Sequence, residues 1–125
     1  MFKIPVSIGE LVDKITILKI KLKFLKGQRK VNVKKEYDLL NDVLKSSSLI
    51  IEDDLMSDLQ GINQKLWDVE DEIRIKELNN DFKKDFIILA RSIYKLNDKR
   101  SEIKKKINIK YNSIIVEEKI YEKYN

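Results

Sequence analysis

Apolar residues recur along most of this chain at alternating spacings of four and three, the mark of one face of an α-helix. The first such stretch carries Leu11, Ile15, Leu18, Leu22 and Leu25 as one seam, with Ile17, Ile20 and Phe24 on nearly the opposite side. Ahead of it, Ser7-Ile8-Gly9-Glu10 has the form of a capping box. In that motif the Ser7 hydroxyl accepts from the Glu10 N–H and the Glu10 carboxylate reaches back to Ser7. The pattern predicts a helix from there to about Lys26, stopped by Gly27. A helix with two apolar sides is no ordinary surface helix. Either it is sandwiched within its own domain or it lends one side to a partner.

Asn32 to Lys45 predicts a second, shorter helix with Val33, Tyr37, Leu40 and Leu44 on one face, broken by Ser46-Ser47-Ser48. A third begins near Glu52 or Asp53, acids that suit a first turn, and carries Leu55, Leu59, Ile62, Leu66, Val69 and Ile73. Asn79-Asn80-Asp81 reads as a turn and cap. The fourth carries Phe82, Phe86, Leu89, Ile93, Leu96, Arg100, Ile103 and Ile107 in one unbroken seam, for a helix of about 26–29 residues and about 40 Å. The third and fourth helices are expected to form a long antiparallel hairpin with coiled-coil-like packing. Residues 2–6, with the single proline at Pro5, read as an extended lead-in or a short edge strand. Ile114-Ile115-Val116 read either as a strand pairing with them or as the start of a last helical turn. The expected fold class is all-α: an antiparallel helical bundle built on that hairpin, one domain over residues 1–125, with short extended segments at both ends.

Composition narrows the chemistry. The 125 residues include no His and no Cys. That removes Ser-His-Asp and Cys-His nucleophile systems, His or Cys zinc sites, haem and iron–sulfur ligation, and disulfides. Catalysis, if any, runs on Asp, Glu, Lys, Arg, Tyr or backbone. The start of the chain lacks the charged lead and long apolar stretch of a signal peptide, and no uncharged apolar run reaches a membrane span, so a cytoplasmic protein is expected. The net charge of +5 suggests nucleic acid, but its distribution does not. Residues 1–50 sum to +6, 51–82 to −7, 83–111 to +7 and 112–125 to −1. An acidic segment between two basic ones is what packed antiparallel helices show, and nucleic acid is not the expected partner.

Several polar residues stand at positions that need a partner. Arg100 sits in the apolar seam of the fourth helix, where an unpaired guanidinium is costly. Its partner is expected from a flank of the third helix (Asn63, Trp67, Glu70, Arg74) or from Glu10 or Asp13 of the first. The matching flank of the fourth helix carries Ala90, Tyr94, Asn97, Ser101, Lys104 and Asn108. Such a set either fixes helix register as a structural polar layer or lines a ligand site. Trp67 reads as a half-buried packing residue, and Lys104-Lys105-Lys106 with Lys110 as a solvated basic end that suits a helix C-terminus. No cofactor is expected; Mg²⁺ on Glu10 and Asp13, or on Glu70-Asp71, is the alternative that paired carboxylates raise.

Five blocks then stand in order: Ser7-Ile8-Gly9-Glu10-Leu11-Val12-Asp13-Lys14-Ile15-Thr16-Ile17-Leu18; Leu66-Trp67-x-x-Glu70-Asp71-x-Ile73-Arg74; Ala90-Arg91-x-x-Tyr94-x-x-Asn97-Asp98-x-Arg100; Ile107-Asn108 with Ser113; and Glu117-Glu118-Lys119-x-Tyr121. Over nearly its whole length the chain resembles a family of small stand-alone bacterial and phage proteins classed as a domain of unknown function. The resemblance implies a compact helical domain without an established activity. It also implies a set of marked polar positions: Glu10, Asp13, Lys14, Trp67, Glu70, Asp71, Arg74, Arg91, Tyr94, Asn97, Arg100, Glu117, Glu118, Lys119 and Tyr121. These either lock the termini onto the hairpin or line a pocket for a small anionic ligand. The expectation is a non-enzymatic binding or assembly module, homodimeric through Ile17, Ile20 and Phe24 of the first helix. The alternative is a binder or enzyme for a phosphate- or carboxylate-bearing metabolite such as a nucleotide or sugar nucleotide.

Overall fold

Four helices follow one another in a computed structural model that describes residues 1–124: α1 (Ile8–Phe24), α2 (Gly27–Ser46), α3 (Asp53–Leu78) and α4 (Lys84–Lys110). Strands are absent among the described residues. Helices α3 and α4 pack as the expected antiparallel hairpin, and α1 lies against all three other helices. The core gathers at the open end of the hairpin, where Val12, Ile51, Leu59 and Ile107 are buried together under Ile8, Leu44, Leu55, Met56, Ile103 and Tyr111.

Left-handed residues close three of the helices. Asn80 (φ 52°) follows α3 and Asn112 (φ 54°) follows α4. In each case the next N–H returns to a carbonyl of the last turn, Asp81 to Lys76 at 2.9 Å and Ser113 to Asn108 at 2.8 Å. This is the Schellman arrangement, with Asn in the place usually held by Gly. Ser48 (φ 61°) does the corresponding work after α2.

Four expectations need correction. The first helix ends at Phe24 rather than near Lys26, and Gly27 begins α2 instead of terminating α1. Its φ of 63° reverses the chain within a two-residue link, so α2 starts at Gly27 and not at Asn32. Phe82 lies in the turn before α4, although its ring still meets Phe86 edge-on at 5.2 Å. Residues 2–6 and 114–119 form neither a strand pair nor a helical turn. Side chains join the two ends instead: Ile8 N–H donates to Ser113 Oγ at 3.0 Å and Ser7 Oγ donates to Glu117 Oε1 at 2.5 Å.

The two-sided first helix is sandwiched within its own chain. Ile15 and Leu18 are buried on one side and Ile20 on the other, with Val12, Asp13 and Thr16 buried on the arc between them. Ile20 is 1% exposed and Phe24 stacks on Trp67, with ring centroids 5.3 Å apart. Ile20 is therefore not available for the dimerisation expected through helix 1, whereas Phe24 keeps 53% of its surface exposed.

Candidate functional site

The first turn of α1 leaves backbone donors that its own helix cannot satisfy. The end of α4 satisfies them. Gly9 N–H donates to Asn108 Oδ1 at 2.6 Å, beside the Ile8–Ser113 bond, while Glu10 N–H donates to the Ser7 cap at 3.0 Å. Gly9 is required here for a steric reason. A Cβ at this position would stand 2.6 Å from the Lys104 carbonyl oxygen and 2.9 Å from Asn108 Oδ1. Only half of the expected capping box forms, because the Glu10 carboxylate turns away from Ser7 to Lys104 Nζ at 2.6 Å.

One turn further on, Asp13 is fully buried. The Arg100 fork holds it from α4, through Nε at 2.9 Å and through Nη2. Asn63 of α3 donates to Asp13 Oδ1 at 2.9 Å and to Thr16 Oγ1 at 2.8 Å, and the Thr16 hydroxyl donates to the Asp13 carbonyl at 2.8 Å. Three helices therefore meet on one carboxylate. The bond from Asp13 raises the Arg100 pKa against the opposing effect of burial. Glu10 and Asp13, the acids considered for Mg²⁺, each face a cation, and no group of three or more potential ligands is placed to hold a metal among the described residues.

Beyond this network the α1, α3 and α4 walls enclose an open groove of about 550 Å³. Ile17, Ile20 and Leu66 form its apolar side, and Asn63, Trp67, Glu70, Asp71, Arg74, Asn97 and Arg100 its polar side. Trp67 is held by the Phe24 ring, yet its buried Nε1–H has no acceptor. A buried donor without an acceptor is uncommon. Arg74 is exposed and enters no ion pair among the described residues, whereas Arg100 is committed to Asp13.

The remaining marked residues lie elsewhere. Glu117, Glu118, Lys119 and Tyr121 line a smaller cavity of about 220 Å³ between the C-terminal segment and α4. That segment runs back along α4 as a strap: Lys105 Nζ donates to Glu118 Oε2 at 2.8 Å, and Tyr124 meets Tyr94 edge-on at 5.1 Å. Partial burial raises the Glu117 pKa, but hydrogen bonds from Ser7, its own backbone and Asn108 outweigh this and leave it lowered. Lys14 is exposed and pairs with Glu10 at 3.6 Å, and Arg91 is exposed on α4 and lines neither cavity. The sequence reading missed Thr16, which closes the Asp13 network, and Phe24 as the ring under Trp67.

A family model described as a family of unknown function (DUF6165) matches residues 2–124. The chain belongs to this family. No curated protein and no solved structure matches it. The DUF6165 match takes in the buried network, the groove and the strap together. No helix of the described residues is long and apolar enough to cross a membrane.

Proposed function

We propose that the chain is a non-enzymatic binding module whose groove takes a small polar molecule carrying one acidic group and several hydroxyls, such as a sugar phosphate or sugar nucleotide. The observation that carries this reading is the buried, unpartnered N–H of Trp67, a residue that lines the groove together with Arg74, whose guanidinium forms no ion pair among the described residues. Arg74 supplies a planar fork for a phosphate or carboxylate. Trp67 donates to a ligand oxygen. Glu70, Asp71 and Asn97 have the acceptors and donors that hydroxyl groups need.

Trp67 is the single tryptophan, so its emission reports on the groove alone. Titration with nucleotides, sugar nucleotides and sugar phosphates should shift that emission and raise the thermal midpoint, as ligand binding to the native state requires. Arg74→Ala should abolish both responses and leave the ligand-free midpoint in place, since the residue is exposed. Unchanged emission and midpoint across the whole panel would refute the reading.

A further inference from the structure

Helices α2 and α3 both pack on α1 but not on each other. Between them an open cavity of about 400 Å³ is lined by residues of all three helices. It shares no residue with the groove. Its size falls within the roughly 300–1,000 Å³ of small-molecule sites. Helical spacing brings its polar groups together. Tyr37 and Asn41 stand four apart on α2, and Ser57, Gln60 and Gly61 recur at three and four on α3.

Two neighbouring residues of α3 go unexplained by the fold. Gln60 Nε2 is buried and donates to no acceptor, which native packing seldom tolerates. Gly61 stands inside a helix of 26 residues, where glycine is less stable than alanine. Close approach of α4 explains Gly9, but a Cβ on Gly61 would meet nothing within 4 Å. Packing therefore does not call for glycine here. What the missing side chain provides is a bare strip of helix at the cavity, next to an unpaired amide.

The lining selects the guest. Asn41 and Gln60 are carboxamides, each with a donor and an acceptor side by side, the pattern that pairs with the edge of adenine. Tyr37 supplies an aromatic ring against which a base packs. Lys19 is the one charged side chain at the cavity among the described residues, and it enters no ion pair among them. An ammonium on a flexible stem suits a phosphate, and no carboxylate among the described lining residues opposes one.

We infer that the α1–α2–α3 cavity is a binding site for a purine nucleoside monophosphate, with the base on the Gly61 strip against Asn41 and Gln60 and the phosphate at Lys19. Glycine at position 61 then gives up helix stability for ligand contact, a familiar exchange at functional sites. The inference uses no groove residue and holds whether or not the groove takes a ligand.

Titration of ¹⁵N-labelled protein with AMP or GMP to about 5 mM tests it. The chain has three glycines and one tryptophan, so the Gly61 amide reports on the cavity and the Trp67 indole N–H on the groove in one spectrum. The Gly61 amide should shift saturably with at least one of the two nucleotides. Ribose 5-phosphate, which lacks the base, should leave it in place. Gly61→Ala should raise the ligand-free thermal midpoint by about 2–5 °C, yet weaken nucleotide binding at least about tenfold by titration calorimetry. Gln60→Leu should keep its helicity and bind about tenfold more weakly. Lys19→Ala should bring the nucleotide down to the affinity of its nucleoside. An unmoved Gly61 amide overturns the inference, and so does wild-type affinity in Gly61→Ala and Gln60→Leu. A shift of the Trp67 indole alone assigns the nucleotide to the groove and overturns it as well. Equal Gly61 shifts from ribose 5-phosphate and the nucleotide overturn the assignment of a base. A shift at Gly61 with an indole that ignores every ligand rejects only the groove reading.

Discussion

Replacing Asp13 with Ala is the sharpest perturbation this architecture offers. The carboxylate is fully buried and accepts from Arg100 Nε and Nη2 and from Asn63 Nδ2. Breaking a buried pair by deleting one partner costs about 3–5 kcal/mol, because the other charge is left uncompensated. Two features hold the loss near the lower limit. The Arg100 side chain is 28% exposed and can turn toward water, and Asn63 keeps Thr16 as an acceptor. A loss of about 3 kcal/mol follows, a large share of the roughly 5–15 kcal/mol that keeps a domain folded. The thermal midpoint should fall by about 10 °C. Urea unfolding followed by far-UV circular dichroism measures the loss directly, with an unchanged denaturant slope showing that the unfolded state is unaltered. Removing both charges in Asp13→Leu with Arg100→Met should recover most of it, since the desolvation of both ions disappears along with their attraction. A loss below about 1 kcal/mol in Asp13→Ala, or a double variant as unstable as the single one, would refute the reasoning.

Three further outcomes are expected. Gly9→Ala drives a Cβ to 2.6 Å from the Lys104 carbonyl and should destabilise by about 1–3 kcal/mol in the same urea assay, with α1 displaced from α4. Gly27→Ala meets no neighbouring atom within 4 Å, so it should be destabilised only by the left-handed backbone strain that a Cβ brings at φ 63°, about 1 kcal/mol. Because the folded-state pKa of Glu117 is lowered from 4.5, the stability it lends the strap is present above the unfolded value and is lost as pH falls through the folded one. Amide exchange should therefore show the strap loosening only in acid, and Glu117→Gln should remove that dependence.

Long unbroken apolar seams made α3 and α4 legible to within two or three residues, since a seam such as Leu59–Ile62–Leu66–Val69–Ile73 satisfies no other period. The start of α2 was not legible. Gly27-Gln28-Arg29-Lys30 offers no apolar signal, and a glycine that ends one helix looks the same in sequence as one that begins the next. In α1 the two stripes were visible, but not that the arc between them is buried as well. Val12, Asp13 and Thr16 carry mixed polarity, and only the arrival of α3 and α4 turns them into core. Arg100 announced its need for a carboxylate from its place in a seam. That Asp13 answers it depends on the register between α1 and α4, which no local pattern encodes. Of the polar positions marked in sequence, Trp67, Glu70, Asp71, Arg74, Asn97 and Arg100 come together in the groove. Glu117 to Tyr121 separate from them because the strap leaves along another side of α4.

The polar contacts that seat α1 and its cap on α4 and the strap join residues far apart in the chain. Ser7 and Glu117 are separated by 110 positions, Gly9 and Asn108 by 99, and Asp13 and Arg100 by 87. Helical bundles fold fast when their contacts are local, and closing loops of this length is entropically expensive before any contact rewards it. The α3–α4 hairpin, joined by a turn of five residues, meets no such barrier. Hairpin formation should therefore come early and the seating of α1 late, after the rate-limiting barrier. In stopped-flow experiments Asp13→Ala should then accelerate unfolding and leave the refolding rate nearly untouched. On this ordering, the residues that seat α1 chiefly set how long the native state lasts, while the hairpin seam sets how quickly it is reached.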